Sequence, residues 1–388
     1  MALFRTEHRQ ILKLNYAQHE EYEELLSSLA RFLEKHVEPN SLKFDSQAER
    51  IQPARKALLD HGVVQIAYPK QFGGLGLPFG VYGLAMELVG ASDASIALSV
   101  GIHNTAADGL YQFGSEALKK KFLGDIISGR KLASFSLTEP TSGSDAKAMS
   151  TRAKKSGGEY ILNGSKMFIT NAGEADIYFV FTSTEKGPSG FLVEKSSPGI
   201  RVGEDIPKLG MRGSRTAEVR FVDCRVPQEM LVGEEGKGFE YAKVMLNGSR
   251  VVMGSICVGI AQAAFAKAVA YSRQRRAFGT VISEFQLTRE KIADMKTGIT
   301  AGRLLCMHSA RLRESGADFS SEASQAKVFS TEMSLRVCDA AIQIFGGYGY
   351  TTEDVHRHWR DARLLTIGEG TSEVLRLLIA SRELARAG

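Results

Sequence analysis

The sequence predicts an α+β protein in which an antiparallel β-domain lies between two helical regions. Apolar residues recur at helical spacing up to about residue 128, alternate at strand spacing from about 131 to 233, and return to helical spacing after Gly236-Lys237-Gly238. A chain of 388 residues is also too long for one ordinary hydrophobic core. We therefore predict an N-terminal helical domain over 1–128, a middle β-domain over 129–235 and a C-terminal helical domain over 236–388.

The N-terminal region contains one clear amphipathic helix and several shorter elements. Its apolar stripe comprises Tyr22, Leu25, Leu26, Leu29, Phe32 and Leu33. The glycine-rich stretch from Pro69 to Pro78 predicts a bend, and Ala117 to Leu123 predicts a short helix. Small residues dominate Ala91 to Ala107, which we predict to be a helix that others pack against closely.

Three segments predict strands in the middle domain. Tyr160 to Ile169 holds two apolar runs around Asn163-Gly164, and an Asn-Gly pair between such runs predicts a β-hairpin. Ile177 to Phe181 is a short apolar run that predicts a strand. Polar and apolar residues alternate from Thr216 to Val222, which predicts a strand with one buried face.

The C-terminal region predicts long helices over 239–275, 284–314 and 321–345. Each would be roughly 35–55 Å long at about 1.5 Å per residue. In the second helix an apolar face is formed by Leu287, Ile292, Met295, Ile299 and Leu305. Helices of this length need partners, either within the chain or in a neighbouring subunit.

Composition argues against several classes of protein. The hydrophobic fraction of 43% and the charged fraction of 24% are typical of soluble globular proteins. A net charge of +5 without a run of five like charges argues against a nucleic-acid-binding arm. The most apolar window, Met253 to Ala270, contains Gln262 and Lys267, so it predicts a buried helix and not a membrane span. The N-terminus lacks the apolar core of a signal peptide. We therefore expect a cytoplasmic prokaryotic protein, with a processed chain of the mitochondrial matrix as the alternative.

No metal site is predicted. The four cysteines are Cys224, Cys257, Cys306 and Cys338. They lie far apart, and no Cys/His cluster has the spacing of a zinc site. His356 and His358 would point to different faces of a helix. Cysteines this sparse favour buried thiols in a reducing compartment.

A single carboxylate lies between two glycines near the C-terminus. Gly368 and Gly370 flank Glu369, and the absence of a Cβ at both positions lets a reactant approach the backbone. Thr371 or Ser372 can cap the helix that follows. The turn can place Glu369 in a cavity, although a solvated loop glutamate is the simpler alternative.

Three further segments combine glycine with polar residues. Phe135 to Asp145 offers backbone amides and hydroxyls to an oxygen-rich planar ligand or a phosphate, or is a polar turn. Gln343 to Tyr350 is a helix C-cap or a bare backbone that touches an extended ligand. Arg275 to Gly279 is a solvated helix end or a diphosphate clamp covered by an aromatic ring.

Taken together and in this order, the segments resemble the acyl-CoA dehydrogenase family over almost the whole chain. The matching motifs are Leu137–Pro140 with Gly143–Asp145, Arg275 with Phe278-Gly279, Gln343 with Gly346-Gly347, and Arg360–Arg363 leading to Ile367–Thr371. The resemblance implies a helical domain, a β-barrel-like domain and a four-helix bundle, which agrees with the periodicity. It also implies non-covalent FAD and a homotetramer built as a dimer of dimers.

The same resemblance implies the residues of the site. Glu369 is the implied catalytic base. The implied cofactor-binding residues are Phe135, Leu137, Thr138, Gly143, Ser144, Phe168, Thr170, Arg275, Phe278, Gln286, Gln343, Gly346, Gly347, Thr371 and Glu373. The implied substrate-binding residues are Ser144, Asn247, Arg250 and Gly370. Some relatives carry the base at the position of Ser249, which leaves Glu369 without a rival here; for Asn247 and Ser249 plain helix surface is the alternative.

The implied reaction is the α,β-dehydrogenation of an acyl-CoA to a trans-2-enoyl-CoA. Glu369 would take the α-proton and flavin N5 the β-hydride, with electrons passing to an electron-transfer flavoprotein. Burial beside a neutral flavin would raise the pKa of Glu369. By the same resemblance, Ser95 to Ala106 would line the end of the acyl cavity. This segment has no Lys or Arg, which argues against a dicarboxylyl substrate. Its small residues, such as Gly101, would leave room for a longer or branched chain. Chain length stays open.

Three alternatives remain. An acyl-CoA oxidase would share the fold and the flavin reduction but return electrons to oxygen. A nucleic-acid-associated relative is disfavoured by the retained Glu369 and by the lack of a basic tail. A flavin-free helical scaffold would be colourless when purified. Neither a nucleic acid nor a membrane is expected as a partner.

Overall fold

The N-terminal part of the chain is helical, as predicted. The computed structural model describes residues 2–351 and 354–386. The first helices are α1 (Thr6–Asn15), α2 (His19–His36), α3 (Ser41–Asp45), α4 (Gln52–Asp60), α5 (Phe79–Ser92), α6 (Ala94–Phe113), α7 (Glu116–Leu118) and α8 (Gly124–Ile127). The predicted stripe on α2 is confirmed, because Tyr22, Leu26, Leu29 and Leu33 are buried and Leu25 and Phe32 pack against the same core.

Helix α6 is buried over most of its length. Every residue from Ala94 to Leu110 is buried, which confirms the close packing predicted from small side chains. The predicted start at residue 91 is wrong, because Asp93 separates α5 from α6. Its Oδ1 accepts the backbone amide of Ile96 at 2.8 Å, and aspartate is among the preferred residues at a helix N-cap.

The middle region is an eight-stranded sheet of mixed direction. Its strands are β1 (Ala133–Ser136), β2 (Arg152–Ser156), β3 (Glu159–Thr170), β4 (Ile177–Thr184), β5 (Gly187–Glu194), β6 (Ile200–Val202), β7 (Thr216–Pro227) and β8 (Leu231–Val232). The order is β6-β7-β3-β2-β4-β5-β8, and β1 pairs with β4. Most neighbours are antiparallel, as predicted, whereas β4 runs parallel to β1 and to β2.

The predicted hairpin at Asn163-Gly164 is wrong. Both residues lie inside the continuous strand β3, at a register shift in its pairing with β7. A Cβ on Gly164 would come within 2.6 Å of Thr151 Cα, so the glycine allows a close backbone approach at a bulge. The two-residue turn lies instead at Gly157-Gly158, since Ser156 pairs with Glu159.

The C-terminal region consists of long helices packed against the N-terminal ones. Its elements are α9 (Gly238–Gln274), β9 (Arg276–Ala277), β10 (Thr280–Val281), α10 (Gln286–Glu314), α11 (Ser320–Phe345), α12 (Gly347–Thr351), α13 (Val355–Leu365) and α14 (Ser372–Arg386). The three predicted long helices are confirmed. Helix α9 packs against α5, α6, α10 and α11.

Two predictions about the faces of these helices have different outcomes. Within the part of the chain that the structure describes, only α9 is long and apolar enough to cross a membrane, and its apolar window is 83% buried inside the protein. This agrees with the predicted buried helix. On α10, Met295 and Ile299 are buried, whereas Leu287 is 69% exposed, so the predicted apolar face is only partly covered.

Helix α13 anchors the segment that leads to Glu369. Asp361 accepts the backbone amide of Met211, in the connection between β6 and β7, at 2.5 Å. Arg360 donates to Asp45 at 2.6 Å and to the carbonyl of Leu209 at 3.1 Å. These bonds fix α13 to both the sheet region and the end of α3, and the turn carrying Glu369 begins where α13 ends.

Candidate active site

Glu369 lies in a tight turn between α13 and α14. The amide of Gly368 donates to the carbonyl of Leu364 at 3.0 Å, and the amide of Ser372 donates to the carbonyl of Thr366 at 3.1 Å. The hydroxyl of Thr371 accepts the amide of Val374 at 3.3 Å, which is the helix cap that the sequence predicted. Glu369 has a φ of 59° and Gly370 a φ of 100°, so the turn needs left-handed backbone at both residues.

The Glu369 carboxylate points into the protein. Its Oε1 accepts the hydroxyl of Ser249 at 2.7 Å. Its Oε2 is buried and has no hydrogen-bond partner among the residues that the structure describes. Burial raises the pKa of Glu369, and the Ser249 hydrogen bond and the charges of Lys327 and Arg250 oppose that rise only in part. The solvated loop alternative is therefore wrong, while the catalytic role stays a prediction.

A buried lysine supports the same turn, and sequence reasoning missed it. Lys327 of α11 is fully buried and donates to the carbonyl of Gly370 at 2.7 Å. Burial lowers the pKa of this ammonium to about 8. Its position three and four residues after the small buried residues Ser324 and Ala323 was the available signal, since such spacing puts a lysine on an inward face.

The α9 side of the site contains two residues predicted to bind substrate. Arg250 is buried, and its Nη1 donates to Asn247 Oδ1 at 2.8 Å. Its Nε lies 3.5 Å from the backbone carbonyl of Glu369. Plain helix surface is wrong for Ser249, which is 4% exposed, whereas Asn247 is half-buried. The structure thus brings Asn247, Arg250, Glu369 and Gly370 together.

A second group of candidate residues lies where β1 meets β3. The amide of Met167 donates to the carbonyl of Thr138 at 2.8 Å, and the hydroxyl of Ser134 donates to the carbonyl of Thr170 at 2.7 Å. These bonds bring together five predicted cofactor-binding residues, namely Phe135, Leu137, Thr138, Phe168 and Thr170. The remaining two of this motif, Gly143 and Ser144, are exposed in the following loop.

Phe168 is an unusual residue of this strand. It is 60% exposed, and it has a φ of 59° beside a register shift in β3. A bulky side chain with positive φ is a genuine outlier, because its Cβ crowds the backbone. The bulge therefore presents a flat aromatic face outward.

The third group lies at the end of α9 and the beginning of α12. Arg275, Gly346 and Gly347 line a cavity of about 490 Å³ together with Tyr348. A Cβ on Gly346 or Gly347 would meet no atom of residues 2–351 and 354–386 within 4 Å, so the backbone there is open to a ligand. The other three residues of the group, Phe278, Gln286 and Gln343, are exposed nearby in sequence but do not line this cavity.

The hydrogen bonds among residues 2–351 and 354–386 connect this cavity to neither the Glu369 turn nor the β1–β3 group. The candidate residues of one chain therefore form separate groups. Glu373 is exposed in the first turn of α14, close in sequence to the catalytic turn. In the same ranges, no three His, Cys, Asp or Glu side chains are placed to hold a metal ion.

The chain matches three family descriptions along its length. "Acyl-CoA dehydrogenase, N-terminal domain" matches residues 19–130, "middle domain" matches 134–224, and "C-terminal domain" matches 236–384. A relative from Megasphaera elsdenii, described as acyl-CoA dehydrogenase, short-chain specific, is 40% identical over 366 residues, which are 92% of this chain and 95% of the relative.

Solved structures agree with the sequence matches. Butyryl-CoA dehydrogenase from Megasphaera elsdenii has a TM-score of 0.92 and 38% identity, covering 94% of this chain and 98% of that one. A chain from a study of the electron transferring flavoprotein of Acidaminococcus fermentans has a TM-score of 0.91 and 38% identity over 100% of both chains. A glutaryl-CoA dehydrogenase from Mycobacterium smegmatis in complex with FADH2 has a TM-score of 0.91 and 28% identity, covering 97% of both chains.

Proposed function

The chain belongs to the acyl-CoA dehydrogenase family, and on that basis we propose that it dehydrogenates short-chain acyl-CoA thioesters to trans-2-enoyl-CoA, with Glu369 as the base. The observation that carries this proposal is the buried carboxylate of Glu369, with Oε1 bonded to Ser249 and Oε2 without a partner among the residues that the structure describes. A buried polar atom without a partner is uncommon in proteins. Here it is explained if Oε2 faces the α-carbon of a bound thioester.

The electrostatics of the turn suit proton abstraction. A base works best when its pKa lies near the operating pH, and burial raises the pKa of Glu369 in that direction. The carboxylate is tied through Ser249 to α9, while the backbone of the same turn is held by Lys327 of α11. The base is thus held by two helices of the bundle, which limits its movement during the reaction.

The residues present fit an FAD cofactor. Phe168 presents an exposed ring beside Thr138 and Thr170, where a flat apolar ligand with polar edges can bind. The cavity at Arg275 has the bare backbone of Gly346 and Gly347 and a guanidinium, which suit a diphosphate and its attached nucleoside. When bound, FAD supplies the two-electron acceptor for the hydrogen that leaves the β-carbon.

The acyl group is proposed to be short. We expected the small residue Gly101 to leave room for a longer acyl chain, but the space beside it is filled. A Cβ at this position would lie 2.9 Å from Met253 Cε and 3.5 Å from Ile256 Cδ1. Met253 is one turn from Ser249 along α9, so it lies on the same side of the helix as the residue that contacts Glu369. The short-chain descriptions of the relative and of butyryl-CoA dehydrogenase support this preference.

The proposal is tested by mixing the purified flavoprotein with acyl-CoA thioesters of increasing length without oxygen. We expect butyryl-CoA to reduce the flavin absorbance most rapidly. Glu369→Gln should fold, retain FAD and bind acyl-CoA, but lose at least about a hundredfold in the rate of flavin reduction, because it lacks the base. Glu290→Gln, an exposed glutamate of α10, is the matched control. Near-normal reduction by the Glu369 variant would remove this residue from the role.

Chain-length preference has its own test. Met253→Ala should raise kcat/KM for six- and eight-carbon thioesters relative to butyryl-CoA, because it opens space beside Gly101. It should also destabilise the fold by about 2–5 kcal/mol, as expected for a buried Met→Ala change. Met333→Ala, which truncates a buried methionine against Gly298 and Gly302, should cost similar stability without changing the preference. If Met253→Ala had the same chain-length dependence of kcat/KM as the wild type, Met253 would not limit the length of the acyl group.

The electron acceptor is proposed to be an electron-transfer flavoprotein, which the Acidaminococcus structure supports by association. Reduced enzyme with bound product should pass electrons to that flavoprotein and react slowly with air. Rapid reoxidation by air would instead identify an acyl-CoA oxidase.

A further inference from the structure

Two buried hydroxyls connect helix α6 to the Glu369 carboxylate. Thr105 of α6 is 2% exposed, and Ser249 of α9 is 4% exposed. Their hydroxyl oxygens lie 2.8 Å apart. Ser249 Oγ lies 2.7 Å from Glu369 Oε1, and Thr105 Oγ1 lies 2.9 Å from the carbonyl of Gly101. Four oxygen atoms thus form three successive contacts of hydrogen-bond length.

The direction of these hydrogen bonds follows from counting hydrogens. An ionised carboxylate only accepts, so Ser249 must direct its one hydroxyl hydrogen at Glu369. The contact between Ser249 and Thr105 then needs the hydrogen of Thr105. The carbonyl of Gly101 does not depend on Thr105, because it lies within α6 and the helix already supplies it with an amide donor. With Glu369 ionised, the donors therefore run from Thr105 to Ser249 to Glu369.

We propose that Ser249, with Thr105 behind it, is a positioning residue that fixes which oxygen of Glu369 takes the substrate proton. The proposal rests on the proposed function. Ser249 donates to Oε1, and Oε2 is buried without a hydrogen-bond partner in the described part of the chain. Rotation of the carboxylate would break the bond to Ser249, so Oε2 stays directed at the reacting carbon.

The same bond affects the charge of the base. A hydrogen bond donated to a carboxylate stabilises its ionised form, so Ser249 opposes the rise in the pKa of Glu369 that burial causes. The charged groups that face Glu369 are Arg250 of α9 and Lys327 of α11, and both act in the same direction as Ser249. Ser249 is the group among them that touches the carboxylate itself.

The test compares Ser249→Ala, Thr105→Val and the double variant in the FAD-loaded enzyme. We expect Ser249→Ala to lower kcat about tenfold or more with little change in KM, as for a lost hydrogen bond to a charged group. The acid limb of its pH–rate profile should move to higher pH. Thr105→Val should cause a smaller change in the same direction. It should have no further effect in the Ser249→Ala background, because Thr105 acts through Ser249.

An infrared titration gives a readout that needs no turnover. The carbonyl stretch of protonated Glu369 is identified by its loss in Glu369→Gln, and the midpoint of its titration should lie about one pH unit higher in Ser249→Ala. Because this measurement does not use a substrate, failure of the proposed dehydrogenation would leave it intact. Ser249→Thr and Thr105→Ser keep the hydroxyls, so kcat and the titration midpoint of Glu369 should stay close to their wild-type values in these variants.

Matched controls separate positioning from general packing. Ser272→Ala on α9 and Thr331→Val on α11 remove buried hydroxyls, each of which bonds, among the described residues, only to a carbonyl of its own helix. They should leave the titration of Glu369 unchanged. The inference is overturned if Ser249→Ala changes neither kcat nor the titration. It is overturned for Thr105 if Thr105→Val lowers the pKa of Glu369 or if the two substitutions are additive.

Discussion

At the scale of single residues, several candidate site residues adopt a left-handed backbone conformation that is unfavourable for residues other than glycine. Phe168, Phe278 and Glu369 all have positive φ values, of 59°, 49° and 59°. Each such conformation costs on the order of 1–3 kcal/mol and persists only when surrounding contacts impose it. For Glu369 those contacts are the Ser249 hydroxyl and the Lys327 bond to the next carbonyl. The local geometry of the base is therefore held by side chains from other helices.

Lys327 gives a residue-scale prediction about pH. Burial lowers its pKa to about 8 from an ordinary 10.5, so between these values the unfolded chain binds more protons than the folded one. The free energy of unfolding therefore increases, and the fold becomes more stable, as pH rises from about 8 towards 10.5. Lys327→Met should lack this gain, which is about 1.4 kcal/mol for each pH unit between the folded and unfolded pKa. Urea unfolding of wild type and variant at several pH values measures the difference.

The same variant should change the chemistry. Removal of a positive charge near Glu369 raises the pKa of the carboxylate, so the acid limb of the pH–rate profile should move to higher pH. Lys154→Met, at an exposed position of β2, is the control. An identical pH dependence of stability in wild type and Lys327→Met would contradict the buried ammonium.

At the scale of elements, one buried ion pair joins the loop after β1 to β3. Glu139 and Lys166 lie 2.7 Å apart, and neither side chain is exposed. Glu139 also accepts the backbone amides of Ser150 and Thr151, and Lys166 also donates to the carbonyl of Leu137. Burial alone would raise the pKa of Glu139, but hydrogen bonds from Lys166 and Ser150 lower it to about 2. This network holds the loop against the strand that carries Phe168.

We expect Glu139→Gln to destabilise the fold by about 3–5 kcal/mol, because it leaves the Lys166 ammonium buried without a counter-charge. It should also weaken FAD retention, since the loop of Thr138 keeps its backbone bond to Met167 but loses the ion pair that fixes it to β3. Urea unfolding and the flavin content of the purified protein measure both effects.

The double variant Glu139→Gln/Lys166→Met should recover part of the stability, because no isolated charge remains. Glu159→Gln, in an exposed pair with Arg225, should cost less than about 1 kcal/mol. A loss equally small in Glu139→Gln would show that the buried pair does not secure the loop.

At the scale of the whole molecule, three large exposed apolar side chains lie close in sequence to residues that line the cavity at Arg275. Phe278 is 97% exposed, Leu287 is 69% exposed and Tyr350 is 83% exposed. Exposed apolar groups of this size favour a protein interface. We propose that a second copy of the chain covers this region and that Arg275 completes the cofactor site there. This explains why the groups of candidate residues are separate within one chain.

Arg275→Ala should lower both the FAD content and the fraction of assembled protein, because the cofactor and the interface share this residue. Flavin absorbance per chain and light scattering after gel filtration measure the two quantities. Arg273→Ala, an exposed arginine in the last turn of α9 that does not line the cavity, is the control. Unchanged FAD content in the Arg275 variant would argue against a cofactor clamp.

The sequence by itself determined the class of fold, the three long helices and the family. Hydrophobic periodicity carries this information, because a long helix must bury a repeating face. The glycines around Glu369 and the Thr371 cap were also visible, since turn chemistry is local. The order and spacing of the motifs identified the candidate residues, although not which of them come together.

Tertiary structure alone decided the features that depend on distant contacts. Asn163-Gly164 became a bulge because β7 and Thr151 lie beside it, and a local Asn-Gly signal cannot register such neighbours. Gly101 leaves no space because Met253 fills it from α9. Thr105 and Ser249, which are 144 residues apart, meet only when α6 packs on α9. Local propensity and periodicity describe one element at a time, whereas the environment of Glu369 is made by side chains that α6, α9 and α11 bring together.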